Sequence, residues 1–231
     1  MGWSLNLLNF DVYKQRYKFD GSIDEALYFT GANPEWEEKN QPAFMKSVGL
    51  LPSDKFLDLG CGCLRGTLNL IDYLNNGNFY GADVSEGLIE SAEQRVINNG
   101  IINTPRLEVI NDFDLEKVFK DKFDYILSVS LLTHLFPDAI PYLFHGISKV
   151  LSDKGQYYFT MYPLYDDTRI AQGTIEIMRY NRDFLKSVAK EYGLLVTDLE
   201  GDYENPVASN QYLKRTNTPY IAQWVMKAVK H

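Results

Sequence analysis

Phe56-Leu57-Asp58-Leu59-Gly60-Cys61-Gly62-Cys63-Leu64-Arg65-Gly66 is an apolar run that breaks into a glycine-rich turn and resumes with helix-forming residues. Glycines at 60 and 62 allow a sharp reversal and let a ligand come close to the backbone. A helix that starts just beyond offers its unpaired N–H groups to an anion. The reading is a strand, a turn that faces a ligand, and a helix.

The chain on either side repeats this rhythm. Lys55 to Leu59 reads as a strand, and Arg65 to Asn75 as a helix with Leu64, Leu68, Ile71 and Leu74 on one face. Asn78 to Asp83 is the second strand. Ser85 is placed to cap a helix bearing Leu88, Ile89, Ala92 and Val96. Strands follow at Arg106 to Ile110 and Phe123 to Val129. Asp138 is placed to cap a helix that turns Ile140, Leu143, Phe144, Ile147 and Val150 inward. Gly155 to Tyr162 is the fifth strand. Asn181 caps a helix with Phe184, Leu185, Val188 and Tyr192, closed by Gly193, and strands at Leu194 to Leu199 and Tyr220 to Val229 end the chain. Strands alternating with amphipathic helices indicate an α/β fold, a doubly wound parallel sheet covered on both faces.

Two segments lie outside the rhythm. Residues 1–50 read as an aromatic-rich extension or lid, carrying Trp3, Phe10, Tyr13, Tyr17, Phe19, Tyr28, Phe29 and Trp36. Residues 51–231 form the main domain, with residues 163–180, near Tyr162, Tyr165 and Tyr180, as an insertion or second lid segment. Such segments belong over the carboxyl ends of the strands, where open α/β sheets bind ligands.

Composition narrows the partners. The 231 residues carry a net charge of −8, with basic residues scattered singly among acids. That argues against a nucleic-acid partner, which calls for a basic face. No apolar run reaches the ~20 residues of a membrane span, and residues 1–20 lack signal-peptide zoning, so a cytoplasmic protein is expected. A homodimer is compatible with the sequence. Cys61 and Cys63, one residue apart, are badly spaced for a disulfide and too few for zinc, and read as small residues packed in a tight loop. No metal is expected.

The glycine pattern discriminates among ligands. A dinucleotide fingerprint requires a third glycine where Arg65 stands, and the Gly-Lys-Ser/Thr of a phosphate loop is absent. What remains, Asp58-x-Gly60-x-Gly62, resembles the first motif of class I S-adenosylmethionine-dependent methyltransferases of the small-molecule type. A third glycine common at the place of Leu64 is displaced here to Gly66. Gly81-Ala82-Asp83-Val84-Ser85 resembles the second motif and follows Gly62 by 21 positions at Asp83. Val109-Ile110-Asn111-Asp112-Phe113 and Lys122 to Leu135 resemble the third and fourth.

The resemblance implies a seven-stranded Rossmann-like sheet, mostly parallel, with an antiparallel last strand. It implies S-adenosylmethionine as cofactor and a small-molecule acceptor, a metabolite or a sugar. Asp58, Gly60, Cys61 and Gly62 would hold the methionine end. Asp83 and Val84 would hold the ribose, Asn111, Asp112 and Phe113 the adenine, and Ser128, Val129 and Ser130 would border the methyl group. Arg65 either faces the cofactor carboxylate or is a solvated first-turn residue. Asp124, at the wrong end of its strand, reads as structural. A methyl bound to a positive sulfur is already activated, so the enzyme chiefly aligns a nucleophile with it. For a hydroxyl acceptor a base helps, and His134, beyond the fourth strand, is the candidate; packing or capping is its other role. Tyr13, Tyr17 and Tyr162 are weaker acceptor contacts. The Asn/Asp-Pro-Pro-Tyr pattern of nucleobase amino methyltransferases is missing, as is a magnesium-holding carboxylate at that turn. A nicotinamide-dependent oxidoreductase and a non-catalytic binding module are the competing readings, the first weakened by Arg65.

Overall fold

The computed structural model describes residues 10–29, 34–164, 168–174, 177–199 and 223–231. Trp3, Tyr165 and Tyr220 lie outside them. The sheet is built from β1 (Phe56–Leu59), β2 (Phe79–Asp83), β3 (Arg106–Val109), β4 (Phe123–Ser128), β5 (Leu151–Pro163), β8 (Leu194–Asp198) and β9 (Trp224–Lys230), with a short pair, β6 (Ala171–Gly173) and β7 (Met178–Tyr180), inside the insertion. The main order is β3-β2-β1-β4-β5-β9-β8. β9 runs antiparallel to both β5 and β8, and the remaining main-sheet pairs are parallel. This is the seven-stranded, mostly parallel sheet expected from the motifs.

Side-chain alternation along the strands divides the core into two layers. Leu57, Leu59, Tyr80, Ala82, Ile126, Tyr157 and Phe159 face α6 (Leu115–Val118), α7 (Ile140–Val150) and α8 (Arg182–Glu191). Phe56, Phe79, Leu127 and Tyr158 face α3 (Pro34–Ser47), α4 (Leu68–Ile71) and α5 (Glu86–Asn98). Asp58 shares the parity of Phe56, so an acid stands where an apolar side chain would otherwise pack. β1 is buried at all four positions because it has a strand on each side and a helical layer on each face. Asp124 is structural: its carboxylate accepts from Lys55 N at 3.0 Å and Ser152 Oγ at 3.2 Å.

Several local expectations are corrected. The helix read over Arg65 to Asn75 shrinks to α4, and Leu64, just before the expected start, sits at φ 59°, a left-handed conformation that no helix continues. Burial of its side chain holds it there. Ser85 precedes α5 but makes no capping bond, and its own N–H donates to Asp83 Oδ1 at 2.9 Å. Asp138 falls in a tight turn started by Pro137, so α7 begins two residues later without a side-chain cap. The fifth strand starts at Leu151, not Gly155. Asn181 caps α8 as expected, accepting from Asp183 N and Phe184 N. No helix among the described residues is long and apolar enough to cross a membrane.

The segment before β1 folds as α1 (Asp11–Arg16), α2 (Ile23–Tyr28, capped by a Ser22–Glu25 box) and α3. It is pressed against the turns after β1 and β2. A Cβ on Gly66 would lie 2.0 Å from Gln41 Oε1, and one on Gly87 would lie 2.0 Å from the Phe19 carbonyl oxygen. Arg65 donates to Glu37 Oε2 at 2.7 Å and to the Leu27 carbonyl at 3.1 Å, tying α2 and α3 to the turn.

Gly87 gives a signed test of this docking. In a bare helix, Gly→Ala stabilises by up to ~1 kcal/mol. Here Gly87→Ala collides with backbone. The variant is expected to melt below wild type and to be cleaved faster by protease within residues 10–29. A rise in melting temperature with unchanged proteolysis would show that the segment does not rest on α5.

Candidate functional site

A cleft opens at the carboxyl ends of β1, β2 and β4, with about 1050 Å³ of unfilled space out to its mouth. Its floor is the turn after β1. Gly60 N and Cys61 N both donate to the Ala82 carbonyl, at 2.7 and 3.0 Å, so the turn is stitched to β2. Gly60 and Gly62 have φ 82° and 53°, a left-handed region open to glycine at no steric cost. At Gly60 the side chain of Leu131 also closes in, 3.2 Å from where a Cβ would stand.

Two carboxyls meet on this floor. Asp83 spans the turns after β1 and β2: Oδ2 accepts Gly62 N and Oδ1 accepts Ser85 N, both at 2.9 Å. Asp58 accepts from Thr67 Oγ1 at 2.5 Å. Burial pushes Asp58 up to about 7, against the lowering effect of the Thr67 bond, and the charge of Asp83 adds to the rise. Burial raises Asp83 as well, opposed by its backbone donors. Cys61 is buried beside them and its thiol is held protonated, mainly by burial and then by the two acids. Among the described lining residues Arg65 is the one guanidinium or ammonium, and it engages Glu37. Arg65 is thus neither solvated nor turned wholly to the cleft.

The walls are aromatic. Phe10 packs edge-on against Phe113, with ring centroids 5.1 Å apart, and His134 packs against Tyr17 at 5.3 Å. His134 ends a single 3-10 turn, Leu132–His134, and is half-buried at the cleft. The chain around it is clamped on several sides. Phe136 N donates to Tyr13 Oη at 3.0 Å, and Tyr180 Oη donates to the Leu135 carbonyl at 2.6 Å. Burial pushes the Tyr13 phenol up to about 12, so it stays neutral.

Of the residues singled out in the sequence, Asp58, Gly60, Cys61, Gly62, Arg65, Asp83, Val84, Phe113, Val129 and His134 line this cleft, as do Tyr13 and Tyr17. Asn111 lines an adjoining groove with Val84, Ser85, Lys14 and Lys18. Asp112 Oδ1 accepts Asp114 N at 2.8 Å at the cleft's exterior. Ser128 is beneath the floor, accepting from Tyr157 Oη at 3.2 Å. Tyr162 stacks under Arg179 and is not part of the lining. Ser130, expected with Ser128 and Val129 beside the methyl group, also lines the cleft. Sequence reading missed Thr67, Glu37 and Gln41. Thr67 carried a faint signal, a hydroxyl in the first turn after the glycine loop; the others come from packing between distant segments. Among the described residues no group of three or more His, Cys, Asp and Glu is placed to hold a metal.

Residues 57–157 match the family model described as a methyltransferase domain. An uncharacterised methyltransferase of Schizosaccharomyces pombe is 28% identical over 127 residues, 54% of this chain and 46% of that one. The chain spans about half the length, or less, of the curated relatives it matches. Among solved structures, magnesium protoporphyrin IX methyltransferase from Synechocystis with bound S-adenosylmethionine superposes with a TM-score of 0.64 at 13% identity, covering 99% of this chain and 100% of that one. An S-adenosylmethionine-dependent methyltransferase from Clostridium acetobutylicum gives 0.61 at 16% identity, covering 90% and 96%. At these identities the likeness concerns the fold.

The buried acids make the ligand-free protein sensitive to pH in a defined direction. Unfolded Asp58 loses its proton near the ordinary 3.8, and folded Asp58 near 7. Between about pH 4 and about pH 7 the folded state therefore holds more protons, and stability falls as pH rises through that window. Asp58→Asn can still accept from Thr67 and does not titrate. Melting of the ligand-free variant is expected to exceed wild type near pH 8 and to vary less between about pH 5 and about pH 7. Parallel melting curves for the two proteins would refute the assignment.

Proposed function

We propose that residues 57–157, which match a methyltransferase-domain model, form a class I S-adenosylmethionine-dependent methyltransferase site, and that this chain uses it to methylate a hydroxyl of a small molecule with an apolar body. The observation that carries the reading is the pair of buried carboxyls, Asp58 and Asp83, at the carboxyl ends of adjacent strands and facing one cleft. Two acids held toward neutrality by burial call for a ligand that brings an ammonium and hydroxyls. A phosphate-rich ligand would meet two acids and no free cation among the described lining residues, since Arg65 is already engaged by Glu37.

The residues present fit that cofactor. Asp83 would accept from the ribose hydroxyls, with Val84 beside it. Asp58 suits the ammonium of the zwitterionic methionine end, and the Gly60–Gly62 turn, its N–H groups tied to Ala82 and Asp83, gives that end a floor without side chains. Phe113, fixed by Phe10, offers a ring face or edge to the adenine. S-adenosylmethionine supplies a methyl carbon made electrophilic by its positively charged sulfur.

The chain's own residues do the rest. Tyr13, Tyr17, Leu131 and Leu135 form an apolar wall that orients the acceptor. His134 accepts the acceptor's hydroxyl proton through a ring nitrogen. α1 to α3 cover the cleft and exclude water, which strengthens every electrostatic contact inside. The net charge of −8 and the apolar lining favour a neutral or cationic small molecule over a nucleic acid. The antiparallel β9 and the absent third glycine weigh against the nicotinamide reading.

Calorimetric titration with S-adenosylhomocysteine tests this directly. Wild type is expected to bind at micromolar level. Asp83→Ala is expected to weaken binding more than tenfold, about 1.4 kcal/mol or more. Failure of wild type to bind, with NADH binding in its place, would overturn the proposal.

A further inference from the structure

Ser130 lines the cleft and has φ 64°, a left-handed conformation that a serine adopts only under constraint. The constraint is a closed ring of polar groups in the core. Ser130 N donates to Thr160 Oγ1 at 2.7 Å. Thr160 Oγ1 donates to Gln223 Oε1. Gln223 Nε2 donates to Ser130 Oγ at 2.7 Å, and Ser130 Oγ returns a bond to Gln223 Oε1 at 3.1 Å. Thr133 Oγ1 adds a bond to the Ser130 carbonyl at 2.6 Å. Ser130, Thr160 and Gln223 are 5%, 0% and 1% exposed.

The ring joins three distant parts of the chain: the exit of β4, the middle of β5 and the residue preceding β9. Every polar atom in it is satisfied by another member, which is what keeps such a cluster stable in a low-dielectric core. What it fixes is the wall of the cleft. Leu131, next in sequence, packs on the Gly60 turn, and Leu131 O accepts the N–H of His134 at 3.0 Å. If Ser130 relaxed to negative φ, Leu131 would leave Gly60 and His134 would swing with its turn.

We propose that Gln223 and Thr160 are positioning residues that hold Ser130 left-handed, and through it set Leu131 and His134 against the cofactor turn. The assignment of a role in cofactor binding rests on the function proposed above. It departs from a simple packing role, because the ring acts on one backbone torsion that glycine could adopt unaided.

The test is a rescue. S-adenosylhomocysteine affinity is measured for wild type, Thr160→Val, Thr160→Ser, Gln223→Met and Gln223→Met combined with Ser130→Gly. Thr160→Val and Gln223→Met keep side-chain volume and break the ring; each is expected to weaken binding about tenfold. Thr160→Ser keeps the hydroxyl and is expected to match wild type. Adding Ser130→Gly to Gln223→Met is expected to restore most of the lost affinity, since glycine takes the left-handed torsion without help. Binding within about twofold of wild type in both ring-breaking variants, or no recovery with Ser130→Gly, would overturn the proposal. If Gln223→Met does not fold, the Thr160→Val and Thr160→Ser pair decides. If wild type itself does not bind, the proposed function falls, and positioning is judged on the ring-proton resonances of His134 in the ligand-free protein. They must shift in Gln223→Met and return with Ser130→Gly; unmoved resonances refute the role.

Discussion

Placing two carboxyls, Asp58 and Asp83, inside a sheet edge otherwise packed with Leu, Phe and Ala shapes the rest of this molecule. Burial of a carboxylate is costly unless it is paired and hydrogen-bonded. Each acid therefore recruits donors from the turns that follow β1 and β2. Thr67 folds back to Asp58, and the N–H groups of Gly62 and Ser85 turn to Asp83. Those bonds dictate two tight turns. The turns in turn explain why Gly60 and Gly62 are left-handed and why α4 starts late.

The same constraint explains the N-terminal segment. Turns that carry buried acids are poorly matched to a closely packed apolar helix. The segment from α1 to α3 covers them with a different chemistry. It brings rings, Phe10, Tyr13 and Tyr17, to the wall, and it brings Glu37 and Gln41 to the rim of the glycine turn. Arg65 is consumed in this contact, which leaves the acids of the floor without a protein cation. A site so arranged is under-charged for its own acids and is completed by a cationic, hydroxyl-bearing ligand. Covering and recognition are two results of one packing decision.

Local chemistry was legible in the sequence, and long-range chemistry was not. The acid–glycine spacing at 58–62 and the strand ending at Asp83 carried the family resemblance, and through it the mostly parallel sheet with its antiparallel last strand; the position of the cleft followed from the strand ends. The order of the strands was not read from the sequence, because it depends on contacts between distant segments. Three caps were read from the same kind of signal, and only Asn181 makes its bonds. The Ser85 hydroxyl accepts no helix N–H, while its own N–H goes to Asp83. Asp138 lost its role because Pro137 closes a tighter turn first. Propensity names a candidate cap, and the turn that precedes the helix decides whether it bonds.

Ser130 marks the limit of what local reading can reach. Nothing in Ser128-Val129-Ser130-Leu131 announces a left-handed residue, since serine there is compatible with strand, turn or helix. Its torsion is set by Thr160 and by Gln223, 93 positions away in the chain. Leu64 is the apolar counterpart, held left-handed by burial with no polar ring. Ser130 lines the cleft, and Leu64 is buried in the core layer beneath the turn after β1. One is fixed by a nonspecific force and the other by a directional one. A hydrophobic anchor tolerates small shifts, whereas a hydrogen-bonded ring holds one geometry or breaks. The directional device stands on the side that carries His134, where orientation toward a reacting group matters most.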